Sequence, residues 1–278
     1  MSNCNSCPSS DGCTKDKQQC MIENNPMNNI KNVIGVMSGK GGVGKSTISV
    51  MIAKQLSQSG YKVGILDADI TGPSVPRLLG LKDKKADSSE QFIFPVETED
   101  EIKVMSLNFL IKDENEPVIW RGPVISGAVK QFWTDVLWEE LDYLIIDMPP
   151  GTGDVALTVM QSIPISGIVM VSVPQDLVSM IVSKAINMTK KMDIKVLGIV
   201  ENMSYILCPD CDKKIRLFNG DNVDEFLRSS NLKLLGELPM TSTICNLSNY
   251  GYENEKESLD TLFSPIVTNM LNILKEEK

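Results

Sequence analysis

Histidine is absent from the 278-residue sequence, which excludes every mechanism that needs an imidazole base, nucleophile or metal ligand. No segment reaches the roughly 18 consecutive apolar residues of a spanning helix, and the polar N-terminus lacks the apolar core of a signal peptide. Positive charge is also scarce, because 27 Lys and Arg stand against 36 Asp and Glu, a net charge of −9. An acidic surface repels nucleic acid and anionic lipid, so we expect neither as a partner and predict a cytoplasmic protein.

The remaining composition is that of a globular protein, with 42% hydrophobic and 23% charged residues. Residues 1–31 contain four of the seven cysteines and little aliphatic material, so they are interpreted as a flexible, Cys-rich tail. The first apolar run, residues 32–37, predicts a buried strand. The sequence therefore predicts two parts, a tail of residues 1–31 and a folded domain of residues 32–278.

Strands and helices alternate along the predicted domain. A Gly-rich loop, a helix over residues 47–59 and a second strand over residues 62–67 follow the first strand, which makes the building block of a parallel sheet. Near-continuous apolar strands indicate a sheet covered by helices on both faces. Residues 258–278 predict a helix that packs on the core, because its polar face lacks the basic excess of a membrane-surface helix. Further strands are expected at residues 102–107, 143–147, 168–173, 195–200 and 234–235, and further helices at residues 124–138 and 177–190. The predicted fold class is α/β, with a doubly wound, mostly parallel sheet.

The loop after the first strand fits the phosphate-binding pattern G-x-x-x-x-G-K-[ST]. Glycines let backbone N–H groups turn toward phosphate oxygens, and the helix N-terminus adds positive charge. Lys45 is expected to reach the β- and γ-phosphates of ATP, and Ser46 to ligate Mg²⁺. The predicted nucleotide-binding residues of this segment are Gly39, Lys40, Gly41, Gly42, Val43, Gly44, Lys45, Ser46 and Thr47.

A second lysine, Lys40, lies inside the same loop and marks the deviant form of this Walker A motif. A cation at this position can oppose the charge that develops on the transferred phosphoryl group, as an arginine finger does. From this loop it could reach a nucleotide in a facing subunit. The alternative is a solvated lysine without a catalytic role.

Two acidic segments follow strands of the predicted sheet. Asp69 comes just after the second strand and is a candidate for orienting the attacking water. Asp147 ends an apolar strand and is expected to hold the Mg²⁺ shell, and Gly151 could donate its N–H to the γ-phosphate. Parallel sheets bind ligands at the carboxyl ends of their strands, so these residues are expected beside the phosphate loop.

Because histidine is absent, a soft-metal site in this chain is expected to rest on cysteine thiolates. Cys208 and Cys211 form one C-x-x-C pair, whereas a [4Fe–4S] cluster or structural Zn²⁺ usually needs four thiolates. The missing pair can come from the same loop of a second chain in a twofold dimer, or from the tail. A zinc-ribbon fragment and a redox dithiol remain alternatives. The tail cysteines Cys4, Cys7, Cys13 and Cys20 could hold a separate cluster, zinc or no metal.

Together these motifs resemble the Mrp/ApbC-type ATPases, iron–sulfur cluster carriers of the deviant P-loop class that also contains the MinD/ParA-like division and partition ATPases. The resemblance covers roughly residues 30–275. It rests on motifs in the family's order: residues 39–46, 67–74, 120–123, 147–154, 174–176 and 201–203, and the pair Cys208 and Cys211.

The resemblance implies roles for individual residues. It implies that Lys40 contacts nucleotide across a dimer, that Asp69 activates water and that Asn202 reads adenine. It further implies that Cys208 and Cys211 bridge a [4Fe–4S] cluster between two subunits. In the tail, the spacing of Cys4, Cys7 and Cys13 resembles that of the last three tail cysteines in the eukaryotic cytosolic relatives. The first tail cysteine of those relatives lies upstream of these three, whereas the remaining tail cysteine of this chain, Cys20, lies downstream.

The leading hypothesis is therefore a slow ATPase that carries a [4Fe–4S] cluster at a homodimer interface, with ATP and Mg²⁺ governing its release to apoproteins. An iron–sulfur donor and apoprotein acceptors are the expected partners. One alternative is a spatial-positioning ATPase of the MinD/ParA-like kind. Another is a zinc-stabilised nucleotide switch that transfers no cluster.

Overall fold

The computed structural model describes residues 21–69, 72, 74–111, 122–177, 180–211, 213–216, 223–245, 247, 252 and 255–276. Parallel pairing dominates its sheet, whose order is β3-β4-β2-β5-β1-β6-β7-β8, with β9 also paired to β7. The strands are β1 Asn29–Ser38, β2 Val63–Asp67, β3 Val96–Glu97, β4 Lys103–Met105, β5 Glu140–Asp147, β6 Gly167–Ser172, β7 Val196–Leu207, β8 Lys214–Ile215 and β9 Leu234–Pro239.

Helices cover both faces of this sheet. In β1, Ile34 and Val36 belong to one buried apolar layer, while Val33 and Met37 belong to the other. Both faces of the strand are therefore buried, as the near-continuous apolar run predicts. The described helices are α1 Lys45–Gln58, α2 Val75–Leu78, α3 Gly122–Thr134, α4 Asp154–Ser162, α5 Pro174–Leu177, α6 Met180–Lys191, α7 Val223–Ser230, α8 Ser242–Cys245 and α9 Lys256–Lys275. The doubly wound α/β class is confirmed.

The last helix packs on the core, as predicted. Leu259, Phe263 and Met270 of α9 are fully buried in the same apolar layer as α1. Within the described residues, no helix is both long and apolar enough to cross a membrane.

The first strand begins three residues before the predicted Asn32, at Asn29. The preceding segment also contacts the domain. The N–H of Ile22 donates to the Ser162 carbonyl at 3.0 Å, and Trp133 Nε1 donates to the Ile22 carbonyl at 3.0 Å. Residues 22–31, which the sequence analysis placed in the tail, thus lie against α3, α4 and β5. Residues 1–20, with Cys4, Cys7, Cys13 and Cys20, lie outside the described residues.

The seventh strand differs most from its prediction. It was expected to end at residue 200, where the apolar run gives way to Glu201 and Asn202, but it continues to Leu207. Its register against β9 shifts between Glu201 and Tyr205, and Met203 has a φ of 55°. A β-bulge absorbs the polar residues here and lets the strand go on. The predicted helix at residues 177–190 is matched by α6, Met180–Lys191, and its start overlaps α5, Pro174–Leu177, while residues 178–179 lie outside the described residues.

Candidate functional site

The phosphate loop joins β1 to α1, where the sequence places it. Gly42 and Gly44 have φ values of +79° and +87°, a left-handed backbone that favours glycine. The Ser38 hydroxyl donates to the Lys40 carbonyl at 2.9 Å and fixes the start of the loop. Such a loop at a helix N-terminus presents N–H groups to an anion.

A cleft of about 450 Å³ opens beside this loop. That volume lies within the range of small-molecule sites. Most of the predicted nucleotide residues line it, and Val43 is buried behind the loop. The predicted site residues in its wall are Lys40, Gly41, Gly42, Gly44, Lys45, Ser46, Thr47 and Asp69.

The side chain of Lys45 is buried among carboxylates. Its Nζ lies 2.8 Å from Asp147 Oδ1 and 3.5 Å from Asp69 Oδ2. Asp147 is fully buried, and its carboxylate is held by two hydroxyls as well. Ser46 Oγ donates to Asp147 Oδ2 at 2.6 Å, and Ser49 Oγ donates to Oδ1 at 2.8 Å. The structure thus brings together Lys45, Ser46, Asp69 and Asp147, which sequence patterns placed in one site.

Asp67 adds a third carboxyl to this cluster. It ends β2 directly beside Asp147 in the parallel register and is fully buried. Ser106 Oγ lies 3.2 Å from its Oδ2, and the Asp69 N–H donates to its Oδ1 at 3.1 Å. Burial, with the charge of Asp147 as the next cause, raises the pKa of Asp67 to about 8. This carboxyl therefore keeps its proton at neutral pH.

This raised pKa predicts a pH dependence of stability. The folded chain binds a proton on Asp67 that the unfolded chain has lost, so stability falls as pH rises from about 4 toward 8. One such proton is worth at most about 1.4 kcal/mol per pH unit. In urea unfolding of the nucleotide-free protein between pH 5.5 and 8.5, we expect Asp67→Asn to gain stability relative to wild type as pH rises.

Asp142→Asn serves as the matched control. Hydrogen bonds from Lys31 and from the Lys62 backbone lower the pKa of Asp142, so its titration lies below this window. Its unfolding curve should therefore run parallel to that of wild type. A parallel curve for Asp67→Asn would contradict the buried proton.

Gly151 lies against the phosphate loop in a left-handed conformation, with a φ of +80°. Its N–H, which the sequence analysis assigns to the γ-phosphate, donates to the Ser38 carbonyl at 2.8 Å. Contact between this N–H and a phosphate would therefore have to replace an existing hydrogen bond.

Asn202 contacts the other side of the same loop. Its Nδ2 donates to the Val43 carbonyl at 2.9 Å, and a Cβ added to Gly44 would lie 2.3 Å from that nitrogen. Asn202 Oδ1 is buried and accepts no hydrogen bond from any described residue. The Oδ1 of this amide is thus an acceptor that a ligand could use.

The predicted thiol pair lies in a hairpin that extends β7. Ile206 and Leu207 pair antiparallel with Ile215 and Lys214 of β8, and the Cys208 N–H donates to the Lys213 carbonyl at 3.0 Å. Cys208 is half-buried, and Cys211 is exposed. The turn therefore presents both sulfurs at the end of a strand that also contacts the phosphate loop.

The backbone of this turn favours the thiolate. The N–H of Asp210 is the main cause of the lowered pKa of Cys208, and the side chain and N–H of Cys211 act in the same direction. Among the residues that can be described, no third metal-ligating side chain joins Cys208 and Cys211 to form a metal site. The hairpin thus supplies two thiolates toward any four-ligand site.

Three further polar residues at the site were missed by sequence reasoning. Asp67 could have been found, because it ends a strand at the same sheet edge as Asp147. Ser49 lies one helical turn after Lys45, a spacing that places both on one face of α1. Arg77 of α2 lines the cleft, and no local pattern signals it.

A family model described as ParA, NUBPL iron-transfer P-loop NTPase, matches residues 29–274. An iron-sulfur cluster carrier protein of Clostridium perfringens is 49% identical over 270 residues, covering 95% of this chain and 94% of that protein. A cytosolic Fe-S cluster assembly factor Nubp2 homolog of Drosophila virilis is 43% identical over 253 residues, covering 89% and 95%.

Solved structures agree with this result. A nucleotide-binding protein from Archaeoglobus fulgidus, in complex with ADP, is 44% identical with a TM-score of 0.72, covering 82% of this chain and 89% of that one. The MinC:MinD cell division complex of Aquifex aeolicus, at 16% identity and a TM-score of 0.61 over 89% and 97%, shares the fold alone. With a family match over most of its length and close relatives along nearly all of it, the chain belongs to the NUBPL-type iron-transfer P-loop NTPases.

Proposed function

We propose that the chain is an ATP-dependent iron–sulfur cluster carrier that holds a cluster through Cys208 and Cys211 and passes it to apoproteins. The observation that carries this proposal is the thiol hairpin. Cys208, whose thiolate is favoured by the N–H groups of Asp210 and Cys211, stands with Cys211 at the end of β7, the strand whose Asn202 contacts the phosphate loop. The names of the relatives, cluster carrier and cluster assembly factor, agree with this cargo.

The cargo would be a [4Fe–4S] cluster shared by two copies of the chain. Such a cluster is usually held by four thiolates, and the described part of one hairpin provides two. A twofold dimer brings two copies of one surface together and completes the set. An iron–sulfur donor and apoprotein acceptors are the partners that this role requires.

ATP would bind in the cleft beside the phosphate loop. Lys45 would exchange its contact with Asp147 for the β- and γ-phosphates. Ser46 and Asp147 provide adjacent oxygen ligands, the kind that Mg²⁺ prefers, and the ion would neutralise charge on the phosphates. The acceptor at Asn202 Oδ1 suits the amino group of adenine, whereas the carbonyl oxygen of guanine would be repelled.

Hydrolysis would be slow. The chain has no histidine, and Asp69, the candidate for orienting water, lies 3.5 Å from the Lys45 ammonium. Without an imidazole base, the reaction would depend on electrostatic stabilisation by further cations. Lys40, which is exposed at the mouth of the cleft, would supply one to a facing copy.

Lys40→Ala should therefore lower the ATPase rate by about 10²-fold or more and leave ATP affinity nearly unchanged. Phosphate release and equilibrium dialysis measure the two quantities. Lys191→Ala removes an exposed lysine at the end of α6 and should change neither. An unchanged rate for Lys40→Ala would show that the lysine is merely solvated.

Mixing two inactive variants tests whether Lys40 acts across the dimer. A mixed dimer of Lys40→Ala and Asp69→Ala has one site with both its own Asp69 and the lysine of the other copy. Mixing should then restore activity. If Lys40 serves its own site, no mixed site is complete and mixing restores nothing.

The experiment that tests the carrier function is anaerobic reconstitution of the full chain with iron and sulfide. We expect a brown protein, a [4Fe–4S] Mössbauer spectrum and transfer to an apoprotein acceptor that depends on ATP. Zinc binding without colour would instead support the nucleotide switch. Iron in excess of one cluster per dimer would indicate a second cluster on Cys4, Cys7, Cys13 and Cys20.

We also propose that the carrier acts in the cytoplasm without membrane or nucleic acid partners. The net charge of −9 and the name of the Drosophila relative, a cytosolic assembly factor, support this location. ATP-dependent flotation with anionic liposomes would contradict it and favour a positioning ATPase.

A further inference from the structure

Arg216 joins the thiol hairpin to two neighbouring strands. It directly follows β8, the return strand of the hairpin. Its Nη2 lies 2.8 and 3.0 Å from the two carboxylate oxygens of Glu237 on β9, and its Nη1 donates to Ser204 Oγ on β7 at 3.1 Å. The planar fork of arginine suits such a multiple contact, which a lysine cannot reproduce.

Ser204 continues this connection into the protein. Its hydroxyl donates to Glu201 Oε2 at 2.8 Å, and both residues are 3% exposed. A buried carboxylate is costly unless a cation or donors compensate its charge. Arg216 supplies positive charge here, and its own pKa is raised mainly by Glu237 and further by Glu201.

The same bulge turns the next residue toward the nucleotide site. Asn202 follows Glu201 directly, and its amide donates to the Val43 carbonyl in the phosphate loop. The left-handed backbone of Met203 lies between Asn202 and Ser204. A movement of the phosphate loop must therefore act on a segment that Arg216 ties to the hairpin.

We propose that Arg216 is a positioning residue that couples the nucleotide site to the thiol pair through Ser204, Glu201 and the bulge of β7. Bound nucleotide displaces or tightens the bulge, and Arg216 transfers this change to the turn that carries Cys208 and Cys211. This inference rests on the proposed function, because it assigns a role within cluster holding and release. It adds residues outside both sets of ligands.

Thiol reactivity tests the coupling without requiring a cluster. Anaerobic, cluster-free protein is alkylated with iodoacetamide, with and without MgATP, and the peptide containing Cys208 and Cys211 is quantified by mass spectrometry. In wild type we expect MgATP to change the alkylation rate by about fivefold or more, the usual lower range of coupling between sites. In Arg216→Gln and in Ser204→Ala the ratio should fall to near one, with ATP affinity retained.

Lys214→Gln is the matched control, since it removes the same charge from the same hairpin. The ammonium of Lys214 lies over the Tyr205 ring, 4.2 Å from its centroid, and within the described part of the chain it forms no hydrogen bond or ion pair with Ser204 or Glu237. Its ratio should equal that of wild type. Arg216→Lys keeps the charge without the fork and should give an intermediate ratio.

The coupling would be overturned if MgATP did not change the alkylation rate of the wild-type thiols. It would also be overturned if the ratio of alkylation rates with and without MgATP were the same in Arg216→Gln as in wild type. If Arg216→Gln does not fold by circular dichroism, Glu237→Gln removes the outer partner alone and should also lower the ratio. Cluster loading is measured separately on the same proteins. If MgATP changes the alkylation rate but no cluster is loaded, the carrier function is refuted and the coupling stands. If a cluster is loaded but MgATP does not change the alkylation rate, the coupling is refuted and the carrier function stands.

Discussion

Cys208→Ser will lose nearly all iron–sulfur loading at the hairpin, at least tenfold by iron and sulfide count after anaerobic reconstitution. Serine fits the same space, but its hydroxyl does not ionise at neutral pH and is a poor ligand for a thiophilic cluster. The N–H groups of Asp210 and Cys211, which stabilise the Cys208 thiolate, lose that partner as well. Cys211→Ser should give the same result.

Cys245→Ser is the control for this experiment, because Cys245 ends α8 and belongs to neither cysteine group in the sequence. Its cluster content should match that of wild type. Any iron that remains in Cys208→Ser could be bound by the tail, so the substitution is also made in a background in which Cys4, Cys7, Cys13 and Cys20 are serine. If the cluster content of that background is the same with and without Cys208→Ser, Cys208 and Cys211 have no part in the mechanism.

Lys45→Met will abolish measurable ATP binding and destabilise the nucleotide-free protein. The variant loses the cation for the phosphates, which we expect to lower affinity by 10²-fold or more. It also leaves the buried carboxylate of Asp147 without its ion pair, and breaking such a pair costs about 3–5 kcal/mol. Isothermal titration and urea unfolding measure the two effects.

Lys54→Met is the control that separates the loss of ATP binding from the general loss of stability caused by replacing a buried lysine of α1. Lys54 lies on the same helix, and its side chain is 10% exposed in an ion pair with Asp100. Methionine there should lower stability but leave ATP affinity unchanged. Normal stability of Lys45→Met would show that the buried carboxylate of Asp147 does not depend on its ion pair with Lys45.

Local patterns were enough to predict the phosphate site and its sheet. The glycines of residues 39–44 indicate a loop because of their backbone freedom. Asp147 ends a strand that is recognisable in the sequence as an apolar run. The parallel order follows from alternating strands and helices. These features depend on neighbours in sequence, so the sequence alone can show them.

Contacts between distant segments account for most of what was missed. The sequence predicts an end of β7 at residue 200, because nothing local shows that a bulge and the charge of Arg216 accommodate the polar residues that follow. The proton on Asp67 depends on burial beside Asp147, eighty positions away in the chain. Partners of this kind become visible only when strands are placed side by side.

The position of β1 at the centre of the sheet has a consequence for synthesis of the chain. Both neighbours of β1, namely β5 and β6, begin more than a hundred residues downstream, at Glu140 and Gly167. As the chain leaves the ribosome, this apolar strand stays unpaired until about half of the protein has been made. Nascent chains should therefore depend on chaperones, and the phosphate loop cannot acquire its Asn202 contact until about three-quarters of translation is complete.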